Sequence, residues 1–279
     1  ESTLVPVPRL SRVFCGTRAI LSFMVTQSGA PQTASPTPLI DRPSPNNDAR
    51  APEKGIDMLI LHYTGMASTE AALDRLCDPE SKVSAHYLID ERGTVYRLVP
   101  DQRRAWHAGV SAWAGDTDIN DRSLGIELAN PGHEFGYVPF PEAQMASLET
   151  LAQDICQRHS IPARRVLGHA DVAPSRKQDP GEFFDWHRLA ARRIGLWPQM
   201  KIIVPPSPAL GPGDSGQRVL KAQATLAAYG YGIEITGEYD QQTVDVVVAF
   251  QRHFRPQAVD GAFDQTTEAA LRNLVRMVT

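Results

Sequence analysis

Along the chain, apolar and polar positions form three regimes: a patternless start, a middle of alternating strand-like and helix-like segments, and a tail of short amphipathic helices. Ile56-Asp57-Met58-Leu59-Ile60-Leu61-His62-Tyr63 is nearly continuous in apolar side chains, the pattern of a strand buried on both faces. Ser68 can cap a helix running to Leu76, with Ala71, Ala72 and Leu76 on its apolar side and Pro79 ending it. Val83–Asp90 and Thr94–Val99 read as strands joined into a hairpin by Glu91-Arg92-Gly93. Ser123–Asn130 is a further strand. Between Pro141 and His159, Met145, Leu148, Leu151, Ala152 and Ile155 recur at helical spacing. Val166–His169 is a short strand and Phe184–Leu196 contains a helix. This alternation predicts an α/β fold with a mixed central β-sheet flanked by helices.

The tail carries an internal repeat. Gly237-Glu238-Tyr239-Asp240-Gln241-Gln242-Thr243 returns as Gly261-Ala262-Phe263-Asp264-Gln265-Thr266-Thr267, each with an Asp placed to cap the next helix. With a first helix carrying Val219, Leu220, Leu226 and Tyr229, this predicts a small all-α three-helix domain. Prolines 198, 205, 206, 208 and 212 mark a stiff boundary before it. The expected organisation is a flexible arm or leader over residues 1–50, an α/β domain over 51–197, a linker over 198–213 and the helical domain over 214–279. Within the arm, Leu39-Ile40 is a point where the chain could pack onto the domain.

Composition narrows the function. The 279 residues are 42% hydrophobic and 22% charged, ordinary for a globular protein, and the net charge of -4 offers no general attraction to nucleic acid. No apolar run reaches the roughly 18 residues of a membrane span. Cys15, Cys77 and Cys156 are too few and too scattered for a disulfide framework, so free thiols are expected. Arg9, Arg12 and Arg18 precede a short apolar run and Ser28-Gly29-Ala30, a weak likeness to an export signal that a disordered leader matches as well.

The chemistry gathers in Gly168–Gly181, where His169, Asp171, Arg176, Lys177 and Asp179 stand in a segment too rich in glycine and proline for helix or strand. His169 and Asp179 suit a metal, and His62, at the exit of the central strand, supplies a third donor. Lys177 would repel a metal ion, so its place two residues from Asp179 points to an oxyanion. Glu127 stands between Ile126 and Leu128, and a buried glutamate is rarely unpaired; it is the candidate base. Asp171 and Arg176 are left to brace the loop, and His86 reads as a core histidine. Trp106, His107 and Trp113 either line a groove for sugar or peptide or pin a loop. These are the parts of a zinc amide hydrolase, with Zn²⁺ on His62, His169 and Asp179.

Leu61-His62-Tyr63-Thr64, Ser84-Ala85-His86-Tyr87-Leu88-Ile89, Trp106-His107-Ala108-Gly109, Gly125-Ile126-Glu127 and Gly168-His169 through Lys177-Gln178-Asp179-Pro180-Gly181 resemble, in order, the zinc N-acetylmuramoyl-L-alanine amidases of the amidase-2 family. That family is similar in fold to phage T7 lysozyme and the peptidoglycan recognition proteins. The resemblance implies zinc on the same three residues, Glu127 and Lys177 as catalytic partners, and a substrate groove at Trp106 and His107. It implies cleavage of the amide between the lactyl group of N-acetylmuramic acid and L-alanine, in peptidoglycan or in muropeptides. Ala85 stands where the phage enzymes have a catalytic tyrosine, and Asp179 where some relatives have cysteine. Residues 210–277 resemble a type 1 peptidoglycan-binding domain through Asp-Ser-Gly, Gly-x-aromatic-Asp and Ala249-Phe250-Gln251-Arg252. A monomer with no nucleic-acid partner is expected. The wall-binding domain points to the cell envelope or periplasm, while the weak leader leaves the cytoplasm open. Two other readings stay in play: a peptidoglycan receptor without catalysis, and a zinc peptidase of the stem peptide.

Overall fold

The computed structural model describes residues 39–51, 55–199 and 207–278. In chain order these form β1 (Leu39–Asp41), β2 (Asn47–Ala49), β3 (Met58–Tyr63), α1 (Thr69–Cys77), β4 (Tyr87–Ile89), β5 (Val95–Arg97), β6 (Arg103–Ala105), α2 (Ile119–Arg122) and β7 (Ser123–Leu128). Then follow α3 (Gly132–Phe135), α4 (Glu142–Arg158), β8 (Val166–Gly168), α5 (His169–Val172), α6 (Trp186–Ala191), α7 (Gln217–Tyr229), α8 (Gln241–Phe254) and α9 (Gln265–Val278). The expected leader, Cys15, most of the proline-rich arm and the middle of the linker lie outside the described residues. Cys77 and Cys156 are free thiols, each half-buried.

A six-stranded sheet runs in the order β1-β5-β4-β7-β3-β8, parallel except for the β4–β5 hairpin. This is the mixed sheet that the alternation of segments predicts. Strands β2 and β6 pair separately, antiparallel. Residues Met58 to Leu61 of β3 are 0% exposed, because a period of two sends them alternately to two covered faces. Leu59 and Leu61 join Met145, Leu148, Ala152 and Ile155 of α4, the apolar stripe read from the sequence. Met58 and Ile60 join Leu167, Trp113 and Ala170 in a cluster that continues into Tyr229, Tyr231, Phe250 and Phe254 of the helical tail. The α/β part and the tail therefore share a core.

In the tail, Asp240 and Asp264 cap α8 and α9 by accepting the N–H of Thr243 and Thr267 at 2.8 and 2.9 Å. Gln223 and Gln251 are fully buried and accept the N–H of Gly237 and Gly261, each at 2.8 Å. These glutamines latch the two repeated turns onto the preceding helices.

Three local expectations are corrected. The flexible arm was expected to reach residue 50, but from Leu39 the chain is built in. Strand β1 pairs with β5, Ser44 and Asn46 are buried, and the Arg50 guanidinium reaches four backbone carbonyls. Polar side chains bonded to backbone do here what apolar burial does elsewhere. The strand expected over Val83–Asp90 is confined to Tyr87–Ile89. The helix expected within Phe184–Leu196 is present as Trp186–Ala191, capped by Asp185 and closed where Arg193 takes a positive φ of 64°. Finally, Gly168–Gly181 is not loop throughout. Asp171 Oδ2 accepts the Gly168 N–H at 2.7 Å and stabilises the helical turn α5, which carries His169.

Candidate active site

Parallel registers assemble the site. His62 lies directly opposite Glu127 across β3 and β7, and Leu61 lies opposite Gly168, the residue before His169. Three chemical side chains thus emerge at the carboxyl end of adjacent parallel strands, where α/β sheets bind ligands. Asp179 is brought in by a backbone hydrogen bond from Ala170 N–H to Asp179 O at 2.9 Å.

His62 Nδ1, His169 Nδ1 and Asp179 Oδ2 are 3.0, 3.0 and 3.1 Å from one another, and all three residues are buried. Among the described residues they form the one group placed to hold a metal ion. The atoms suit one. His169 Nε2 is 3.0 Å from the Ala108 carbonyl, which can only accept, so Nε2–H donates there and Nδ1 is the atom turned towards Asp179. Two lone-pair donors facing at hydrogen-bond distance call for a cation between them. Two imidazole nitrogens and a carboxylate oxygen are a donor set that zinc takes, with a fourth position left for water or substrate. The charge states agree. Burial first, then the neighbouring His169, brings the His62 imidazole down to about 4. Burial works against the Asp179 carboxylate, but His169 and His62 hold it far below the usual range.

Glu127 faces the same cleft. Its Oε2 is buried with no hydrogen-bond partner among the described residues. Burial first, then the Asp179 charge, pushes its carboxyl well above the ordinary value, while Lys177 pulls it the other way. Lys177 and Asp179 both line the cleft, a cavity of about 610 Å³. Arg176 braces the surrounding loops by donating to the carbonyls of Ala108 and Val110 at 2.8 and 2.6 Å. Asp171 ties α5 to the helical tail, accepting from Tyr231 Oη at 2.6 Å and His253 Nδ1 at 2.7 Å.

Trp106, half-buried, and His107, buried, both line the cleft, and His107 Nδ1 is 3.1 Å from His62 Nε2. Ala85, in the phage tyrosine position, is fully buried. The opposite wall holds residues that sequence reasoning passed over. Arg75 and Met66 line the cleft with His133, Glu134 and Phe135. His133 is held by Tyr63 Oη at 2.9 Å and Glu182 at 3.1 Å. The available signal was position: α3 follows the carboxyl end of β7, beside Glu127.

The fold and the cleft define a hydrolase built on a parallel sheet edge, with a two-histidine, one-aspartate centre and a buried carboxyl beside it. The family model for N-acetylmuramoyl-L-alanine amidases matches residues 52–182, and that for a peptidoglycan binding domain matches residues 215–271. The chain is 37% identical over 246 residues to the N-acetylmuramoyl-L-alanine amidase AmiD of Escherichia coli K12, covering 81% of this chain and 85% of that one. A structure of E. coli AmiD with anhydro-N-acetylmuramic acid-L-Ala-D-γ-Glu-L-Lys superposes with a TM-score of 0.71 at 36% identity, covering 82% of this chain and 92% of AmiD. AmpDh3 of Pseudomonas aeruginosa, in complex with anhydromuramic pentapeptide, gives 0.70 at 30% identity, with 82% and 95% covered. The chain belongs to the N-acetylmuramoyl-L-alanine amidase family and carries a peptidoglycan-binding domain.

Proposed function

We propose that this amidase is a zinc enzyme holding the metal on His62, His169 and Asp179, with Glu127 and Lys177 as catalytic residues. The observation that carries the reading is the triangle of donor atoms 3.0–3.1 Å apart with the unpartnered Glu127 beside it. Zinc bound there would polarise the scissile carbonyl and lower the pKa of water towards about 7. Glu127 takes a proton from the attacking water and returns it to the leaving L-alanine nitrogen. Lys177 donates to the oxyanion of the tetrahedral intermediate. Water adds to the lactyl carbonyl carbon, the C–N bond breaks, and the products are a free lactyl carboxylate and a peptide with an L-alanine amine.

Trp106 forms one wall for the substrate. The anhydromuropeptides in the AmiD and AmpDh3 structures support 1,6-anhydro muropeptides as substrates here. The peptidoglycan-binding domain supports work on the polymer in the cell envelope, where it raises the effective substrate concentration. Among the described residues no helix is long and apolar enough to cross a membrane. The domain boundaries proposed are those read from the sequence, 51–197 for catalysis and 214–279 for wall binding, with the ordered segment from Leu39 added to the first.

Zinc-loaded chain should release an intact peptide beginning with L-alanine from anhydromuropeptide, seen by mass spectrometry. Glu127→Gln should lower kcat by ~10²–10⁴-fold. Lys177→Ala should lose ~10²–10³-fold while keeping stoichiometric zinc. Products cut inside the stem peptide would establish a peptidase instead, and binding without any release would establish a receptor.

A further inference from the structure

Behind the metal ligands runs a chain of buried polar groups that ends on a backbone carbonyl. Ser123 Oγ is 2.6 Å from the Ile119 carbonyl oxygen and 3.2 Å from His107 Nε2. His107 Nδ1 is 3.1 Å from His62 Nε2, and His62 Nδ1 faces His169 and Asp179 at 3.0 Å. Ser123 and His62 are no more than 1% exposed, and His107 is 8% exposed.

We propose that Ser123 and His107 are positioning residues that fix the tautomer of His62, so that its Nδ1 lone pair is presented to the metal; the proposal rests on the zinc reading above. The direction follows from the last link. A carbonyl oxygen only accepts, so the Ser123 hydroxyl donates to Ile119 O. Its oxygen then offers only lone pairs, which requires a proton on His107 Nε2. The neutral His107 ring therefore has a bare Nδ1, which accepts from His62 Nε2–H and leaves His62 Nδ1 without a proton. Every hydrogen in the chain points away from the metal position.

The surrounding sequence fits this role. Asn120 Oδ1 accepts the N–H groups of His107 and Ala108 at 3.1 and 2.8 Å, so α2 holds both the terminal Ile119 carbonyl and the backbone that carries His107. Gly125 lies under the His107 ring, where a Cβ would come within 2.6 Å of His107 Cγ. The same short loop serves the second ligand, since Ala108 O accepts from His169 Nε2. Residues 107 and 108 thus set the outward-facing nitrogens of both histidine ligands. His107 thus serves the metal ligand as well as lining the cleft.

The test uses the full chain with ¹⁵N-labelled histidine, metal-free and zinc-loaded. Long-range ¹H–¹⁵N correlation should place the proton on Nε2 of both His62 and His107. Ser123→Ala, a small change in a buried strand, should weaken zinc binding ~10–100-fold in chelator competition and disturb the His107 tautomer. His107→Leu should lose affinity similarly. His107→Asn, whose Oδ1 falls near the place of Nδ1, should restore most of it. A Nδ1–H tautomer on His107, or unchanged zinc affinity in Ser123→Ala and His107→Leu, would overturn the relay while leaving the zinc reading intact. A wild-type chain that takes up no zinc would overturn both.

Discussion

His86 is fully buried, with Nδ1 accepting the Gly125 N–H at 2.9 Å and Nε2 3.1 Å from the Arg103 carbonyl oxygen. A proton on Nδ1 would set two donors face to face. Burial first, then the Arg50 guanidinium, brings this imidazole down to about 3. The unfolded chain has the ordinary value near 6.5, so as pH falls it takes the proton first. The stability owed to neutral His86 is full above about pH 6.5 and is lost as pH falls towards 3. Urea unfolding of metal-free protein at pH 7.5 and pH 5 should show this loss. His86→Asn, which keeps an acceptor for Gly125 and does not titrate, should flatten the slope; an equal slope in the variant would refute the assignment. At this scale the chemistry was legible early. Histidine, aspartate and a glutamate flanked by apolar neighbours are costly to place without a use, so His62, Glu127, His169 and Asp179 stood out. Ser123 did not, because nothing about a serine at the start of a strand shows that it ends a relay.

At the scale of elements, Arg50 is the peg that joins β2 to the sheet. Its guanidinium donates to the carbonyls of Asp101, Asn120, Asp121 and Ser123 at 3.0, 3.0, 2.7 and 2.8 Å. Arg50→Ala should destabilise the chain by about 2–3 kcal/mol, since hydrogen bonds to a charged group are lost and buried carbonyls are left without partners. Arg50→Lys should recover only part, lacking the planar fork. A change in denaturant midpoint equivalent to less than about 0.5 kcal/mol would class Arg50 with ordinary surface residues. Strongly periodic elements such as α4 and β3 were readable because burial of a face imposes the period. Strands β1, β2 and β6 are three residues each and exist through pairing, so no local pattern announces them.

For the whole molecule, the joint between the α/β part and the tail is a packed interior. Trp113 is 2% exposed, with its ring 5.8 Å from Tyr229 and 5.0 Å from Tyr231, edge-on to each. A Cβ on Gly230 would fall 2.5 Å from the Trp113 ring, so glycine lets the tail close on it. His253 stacks on Trp186 with ring centroids 3.7 Å apart while bonding Asp171 of α5, the turn that carries His169. Calorimetry should therefore show one cooperative transition. Trp113→Ala should cost about 3–5 kcal/mol and separate the tail's melting from that of the α/β part. Two independent transitions in the wild type would mean that the parts are only tethered.

By itself the sequence determined the strongly periodic elements, the α/β-plus-helical division and the family, and it singled out the candidate chemical side chains. The elements follow from local periodicity, the chemical side chains from residue types that are expensive to bury idly, and the family from the resemblance of its motifs. Tertiary structure alone decided what lies behind and between them. It set His62 opposite Glu127, placed His107 against His62, built residues 39–50 onto the sheet and fused the tail to the catalytic core. Those outcomes depend on hydrogen bonds and contacts between residues tens to more than a hundred positions apart, which a pattern along the chain does not encode.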